Sequence, residues 1–274
     1  MKQIVIVSSE PWEAERERVE SLSSRMSRYD MLFLSPADVK GPFRERRFKR
    51  ALKNAVSRAG LILVSPAARA EGLRVFEKPV RPLPDGVDFD VYFGASERNL
   101  PFPDDLFCVK NPIIGHLGPV DADVNLQTVE MAAAAHPEWA FVFVGPVRTD
   151  ISVWEGIPNI HLLGEKPPGH LPAYISRFDV CINTAKTESA SPQKLYVYLA
   201  AGKPIVSAPH PAQALDYTEA VYLAGTPEEF ILCCKKAIGE RDAWKVRRRV
   251  EYGRAASWDA RAAELERMIK ELSL

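Results

Sequence analysis

An α/β protein with parallel sheets is what this 274-residue sequence predicts, on three observations. Short β-branched runs alternate with longer stretches of helical period, the pattern of βαβ units. A proline-rich segment interrupts that rhythm once, near the middle of the chain. After it, the same alternation restarts with Ile113-Ile114-Gly115-His116-Leu117-Gly118. Two lobes follow from that restart, and right-handed crossovers place helices on both faces of each sheet.

In order, the first lobe is predicted to hold a strand over 3–8, a helix over 12–28 and a strand over 31–35. A helix over 43–59, a strand over 60–65 and a short helix near 66–73 follow. Residues 78–112 carry Pro79, Pro82, Pro84, Pro101, Pro103 and Pro112, with the turn Pro84-Asp85-Gly86-Val87-Asp88, the composition of a linker. The second lobe continues with a helix over 124–136 and strands over 141–144 and 159–163. A helix over 169–178, a strand over 179–183, a helix over 192–201 and a strand over 204–208 come next. A short run at 221–224 and helices over 226–239 and 241–272 complete it. The domain expectation is a first lobe over 1–90, a linker over 91–112, a second lobe over 113–255 and a closing helix over 256–274.

Composition narrows the partners. Lys plus Arg and Asp plus Glu are balanced at 36 each, so no global field draws in nucleic acid. No apolar run reaches the ~18 residues of a membrane span, and the start Met1-Lys2-Gln3-Ile4 enters a strand directly, unlike a signal peptide. A cytoplasmic protein is expected. The four cysteines (Cys108, Cys181, Cys233, Cys234) lack C-x-x-C spacing, so reduced thiols are the plainer account than a metal site or disulfides.

The segment from Ser191 to Pro204 carries the most chemistry. Ser191 suits an N-cap and Pro192 the first helical position, while Gly202 and Pro204 end the helix. Its start lies beyond the C-terminal end of a parallel strand, where open sheets bind ligands. Unpaired N–H groups, the helix dipole and Lys194 in the first turn favour a phosphate there. An ordinary capped helix with a solvated lysine fits the local features equally well.

The run "SPQKLYVYLAAGKPIVSAP" resembles the donor-site helix of GT-B glycosyltransferases, nearest to the bacterial polysaccharide and teichuronic-acid type. The order of "IIGHLGPVDAD", "HPEWAFVFVGP", "NIHLLGEKPPGHLPAYISRFDVCINT" and the closing "SWDARAAELERMI" is similar too, over most of 113–270. "IVIVSSEPW" and "LILVSPA…PVRPLPDGVDFDVY" match more loosely, in a first lobe about half the family's length. The resemblance implies two Rossmann-like lobes and glycosyl transfer from a UDP- or GDP-linked sugar to a glycan or lipid-linked acceptor, with no further cofactor. It implies that Ser191 and Lys194 face the diphosphate, that Gly164, Glu165 and Lys166 hold the base, and that Gly115 and Gly118 let the loop after the first strand approach the phosphates. It also implies that the final helix crosses back to the first lobe.

The sequence departs from the family pattern at the donor site. Val197 stands where the family has a ribose-binding glutamate, and Ser189 where it has the other member of that pair. Glu188 is the neighbouring substitute. The loop at 119–124 holds Asp121 and Asp123 and no basic residue, and Asp121-Ala122-Asp123 is a low-specificity match to a metal motif, so no metal is assigned. A non-catalytic binding protein with a degenerate donor site, and a sugar-nucleotide epimerase on the same fold, therefore stand as alternatives. Glu10, directly after the first strand, is the first-lobe candidate for polarising an acceptor hydroxyl. His116 and His210 each close a strand; a solvated loop histidine is the commoner outcome, and the sequence names no partner for either.

One local charge cluster remains. Residues 40–58 hold Lys40, Arg44, Arg46, Arg47, Lys49, Arg50, Lys53 and Arg58 against Glu45 alone. Phe48, Leu52, Ala55 and Ala59 form the apolar stripe, so a solvated basic face on a packed helix is one account. Peripheral contact with anionic lipid headgroups is the other. Nucleic acid fits less well, because no aromatic platform accompanies the charges.

Overall fold

The computed structural model describes residues 2–8, 12–35, 37–38, 44–64, 80–82, 85–95, 98–187, 193–210 and 212–271. The chain divides into two compact units, one of Met1–Gly86 with Ser257–Leu274 and one of Val87–Ala256. The first unit is thus discontinuous in sequence.

Unit one is built on a parallel sheet of β1 (Lys2–Val7), β2 (Tyr29–Leu34), β3 (Ala59–Val64) and β4 (Val80–Pro82), in the order β2-β1-β3-β4. Side chains alternate across a strand, so β1 and β3 each supply two apolar sets. Ile4, Ile6, Leu61 and Leu63 pack on Val19 and Leu22 of α1 (Trp12–Arg25), on Met26 just after it, and on Trp258, Ala262, Leu265 and Ile269 of α9 (Trp258–Glu271). Val5, Val7, Ile62 and Val64 pack on Ala55 and Val56 of α2 (Arg44–Arg58), with Phe48 and Leu52 at the margin. Both faces are covered, as an all-parallel sheet requires. Arg25 Nε meets Asp259 at 3.0 Å, tying α1 to α9, and Arg18 bridges Glu15 and Asp85.

Two differences from the sequence expectation have physical reasons. The stretch 241–272 is two helices, α8 (Ala243–Ala255) and α9, because Ser257 caps the second one: its Oγ accepts the Ala260 N–H at 3.1 Å. β4 and the short helix α3 (Phe89–Tyr92) lie inside the proline-rich stretch read as linker, and residues 91–112 belong to the second unit. Proline at the end of an edge strand costs no ladder bond, which is how Pro82 is accommodated. The expected short helix at 66–73 lies outside the described residues.

Unit two holds a six-stranded parallel sheet in the order β10-β9-β8-β5-β6-β7. Its strands are β5 (Ile113–Leu117), β6 (Ala140–Val144), β7 (Ile160–Leu162), β8 (Val180–Asn183), β9 (Ile205–Ser207) and β10 (Tyr222–Leu223). On one face Ile114, Phe141, Phe143, Val180 and Ile182 pack on Val129, Ala132 and Ala133 of α4 (Leu126–Ala135). Phe230, Cys234 and Ala237 of α7 (Pro227–Ile238) complete that layer. The other face gathers Leu117, Val142 and Cys181 against Ile175 of α5 (Leu171–Arg177), Phe178, and Leu195, Tyr198 and Leu199 of α6 (Gln193–Ala200). Gly253 of α8 sits on Ala200, so close that a Cβ there would lie 2.5 Å from the Ala200 nitrogen. Arg249, fully buried on α8, donates to both Glu240 oxygens at 2.6 and 2.5 Å and to the Ala220 carbonyl at 2.8 Å. All four cysteines are free thiols.

Candidate functional site

Strand β5 sits at the centre of the second sheet, and its C-terminal end is where the sequence-predicted site forms. Gly118 follows it with φ +109°, a conformation that favours glycine, and donates to the Val144 carbonyl at 2.9 Å. Gly145, after β6, donates to the Gly164 carbonyl at 2.9 Å, and a Cβ on it would lie 2.1 Å from the Gly118 oxygen. Three glycines therefore follow one another along the sheet edge, with Gly145 in backbone contact with both of the others. Gly145 was not singled out from sequence, although its place after "FVFV" is the signal that could have found it.

Lys194 lies in the first turn of α6 and reaches over this edge. Its Cε would be 3.3 Å from a Cβ on Gly118, so a side chain at that position would crowd it. Its ammonium meets His116 Nε2 at 3.0 Å. An ammonium can only donate, so Nε2 accepts from it; the Pro119 carbonyl also lies 3.4 Å from Nε2, and the buried Nδ1 has no hydrogen-bond partner among the described residues. His116 is 1% exposed and packs its ring 5.2 Å from that of Phe143. Burial first, and the Lys194 charge second, push its pKa well below the usual histidine value, so the ring is neutral. Burial likewise lowers Lys194 to about 8, against the opposing pull of Asp121 and Asp123. The two loop acids thus neighbour the ammonium and hold its charge.

That loop is itself ordered by its carboxylates. Asp121 accepts the Asp123 N–H at 3.0 Å, and the Asp123 side chain accepts the Thr187 hydroxyl at 2.8 Å. The Asp123 carbonyl takes the Lys186 N–H at 2.9 Å, and Asn125 N–H donates to the Thr184 carbonyl at 2.9 Å. The 119–125 loop and the segment after β8 are thereby joined. Beneath them, the Leu117 N–H donates to the Tyr198 hydroxyl at 2.8 Å, locking α6 to the end of β5.

Of the residues selected from sequence, Gly118 and Lys194 are brought together, and Gly164 joins them through Gly145. Gly115 is a correction. It lies within β5, not in the loop after it, and a Cβ there would sit 2.1 Å from the Phe178 ring. Its missing side chain makes room for a core aromatic. Glu165 is exposed. Lys166 pairs with Asp105 at 2.8 Å, and Asp105 also accepts the Tyr174 hydroxyl at 3.0 Å. That carboxylate raises the Lys166 pKa. Glu10, Glu188 and Ser191 lie outside the described residues. Val197 packs into the apolar layer around α6 and offers no acceptor where the family has a glutamate. His116 is neither solvated nor in a loop, and its partner is a lysine that the sequence could not place beside it. Among the described residues, no group of three or more His, Cys, Asp or Glu side chains is placed to hold a metal ion, and no helix is long and apolar enough to cross a membrane.

Comparison with known proteins follows the same lines. No family profile matches the chain. It is 26% identical over 234 residues to TuaH of Bacillus subtilis (strain 168), whose name assigns it provisionally to teichuronic acid biosynthesis as a glycosyltransferase. The match takes in 79% of this chain and 58% of that protein's length. Among solved structures, Anabaena Alr3699/HepE in complex with UDP superimposes with a TM-score of 0.71 at 10% identity, covering 99% of this chain and 100% of that one. AviGT4, a glycosyltransferase of avilamycin A biosynthesis, gives a TM-score of 0.59 at 14% identity, covering 99% and 98%. Two parallel sheets in two Rossmann-like lobes, and these superpositions along the whole chain, give it the GT-B fold, in which it resembles the glycosyltransferases built on that scaffold.

Proposed function

We propose that this chain transfers a sugar from a nucleoside-diphosphate donor, UDP- or GDP-linked, to an acceptor hydroxyl in glycan or polysaccharide biosynthesis. The observation that carries the proposal is the partly buried Lys194 ammonium at the head of α6, held by His116 beside the Gly118 turn. A preorganised cation there offsets the charge that develops on a departing diphosphate, and partial desolvation strengthens the effect. The fold neighbour solved with UDP and glucose supports a nucleotide sugar as donor. In this reading the Ser191 backbone joins Lys194 on the diphosphate, and Gly164, Glu165 and Lys166 flank the base. Glu10 polarises the acceptor hydroxyl, and Glu188 replaces the other glutamate of the family's pair, which would fall at Ser189.

The exposed Arg47, Lys49, Arg50, Lys53 and Arg58 of α2 support peripheral contact with anionic lipid, which suits a lipid-linked acceptor. Salt-sensitive cosedimentation with anionic vesicles, absent with neutral ones, is the expected result.

A thermal-shift screen against UDP, GDP, ADP, TDP and their sugars tests the main proposal. Stabilisation grows as RT ln(1 + [L]/Kd), so millimolar ligand exposes even a weak site. A rise with one nucleotide, lost in Lys194→Ala, is expected. No shift with any nucleotide would leave a binding protein that has lost its donor, the alternative that Val197 favours. Turnover of the nucleotide sugar without an acceptor would instead indicate an epimerase.

A further inference from the structure

We propose that the second unit carries another ligand site, separate from Lys194, for the phosphoryl oxyanion of a small metabolite. It is a pocket of about 210 Å³ where α4 and α7 begin, beyond the ends of β8, β9 and β10. A water molecule takes about 30 Å³ of liquid, so the pocket has room for a small molecule. Among the described residues, Asn125, Thr128, Thr184, Lys186, His210 and Thr226 supply its polar lining, and no Asp or Glu lines it. Neither Lys194 nor His116 is part of that wall.

Two features make this a place for negative charge. Asn125 caps α4, accepting the Thr128 N–H, and Thr226 caps α7, accepting the Glu229 N–H, so two helix starts converge on one pocket. Each leaves first-turn N–H groups without an intrahelical acceptor, and each dipole is positive at that end. Lys186 adds a full charge. Two described acids nearby are engaged elsewhere: Glu229 accepts the Gly225 N–H at 2.7 Å, and Asp123 the Thr187 hydroxyl at 2.8 Å.

The second feature is Thr184. Strand alternation puts it on the same side as Val180 and Ile182, the side of α4 and α7 where the pocket lies. It is 3% exposed, and its hydroxyl has no hydrogen-bond partner among the described residues. A buried hydroxyl left unpaired is unfavourable, and such groups call for a partner from outside. An oxyanion in the pocket accepts from this hydroxyl, from Lys186 and from the helix starts at once.

Calorimetry in the Lys194→Ala background tests the site with the donor cation removed. Inorganic phosphate, a hexose 1-phosphate and glucose are the probes. Phosphate and hexose phosphate are expected to bind and glucose is not; tighter binding of the ester identifies a sugar phosphate as the ligand. Adding Lys186→Ala or Thr184→Val is expected to weaken binding at least about fivefold. Thr184→Val alone keeps the shape and removes an unpaired hydroxyl, so ligand-free Tm is expected to hold or rise. No heat with either phosphate, equal affinity in both added variants, or a fall in Tm of several degrees in Thr184→Val would each overturn the proposal.

Discussion

Lys194 Nζ and His116 Nε2 stand 3.0 Å apart although 78 residues separate them in sequence. The contact exists because β5 ends under the first turn of α6, and because Tyr198 pins that helix to the Leu117 amide. A buried neutral ring thus presents a lone pair to a cation at the sheet edge.

The first prediction concerns pH and donor affinity. Burial brings the Lys194 pKa down to about 8, so its charge is lost earlier than that of a solvated lysine. Affinity for UDP or GDP is expected to be flat below that point and to fall by up to about tenfold per pH unit above it. Isothermal titration between pH 6.5 and 9.5 reads this directly. Affinity that stays constant to pH 9.5 would separate Lys194 from the diphosphate.

The same pair makes a prediction about acid stability. The folded-state pKa of His116 is lowered, so below the ordinary histidine value the unfolded chain takes a proton that the folded chain refuses. The stability this contributes is full above about pH 6.5 and is lost as pH falls, by at most about 1.4 kcal/mol per unit. His116→Phe is expected to flatten that limb of the Tm-against-pH curve while weakening nucleotide binding about two- to tenfold through loss of the acceptor. His116→Gln, which keeps an acceptor, is expected to restore affinity.

Gly115→Ala tests a packing claim. The added methyl would meet the Phe178 ring at 2.1 Å, so overpacking of about 1–3 kcal/mol is expected in urea unfolding. Phe178→Leu in the same chain should recover part of the loss, a coupling expected only for residues in contact. If Gly115→Ala unfolds at the wild-type urea concentration, the strand position is not what demands glycine.

Arg249 is buried against Glu240, which also accepts the Tyr222 hydroxyl at 2.9 Å. Arg249→Ala strands that carboxylate and is expected to cost about 3–5 kcal/mol in chemical denaturation. Replacing both partners with apolar residues should cost less than the arginine change alone. Equal losses would mean that Glu240 finds water.

Much of this was legible from the residues. Alternating β-branched and helical runs are local signals, and they located nearly every strand and helix that positions the site. The fold name rested on "SPQKLYVYLAAGKPIVSAP" and its neighbours. Lys194 was visible because a capped helix start after a parallel strand is a local pattern as well. What failed was non-local or ambiguous. Gly115 and Gly118 look alike in sequence, yet one empties a space for Phe178 and the other turns the chain. His116 looked like a loop residue because the partner that explains it lies on another element. Ser257 was a readable cap, but continuous helical period on both sides of it concealed the break.

The discontinuity of the first unit has a consequence for how this chain leaves the ribosome. Strands β1 and β3 emerge early, but α9, which covers Ile4, Ile6, Leu61 and Leu63, emerges after the roughly 170 residues of the second unit. At about 5–20 residues per second, the interval is about ten to thirty seconds. For that time part of an apolar sheet face has no cover from its own chain. The lobe begun first is completed last, while the second unit, contiguous in sequence, can close as soon as it has been made.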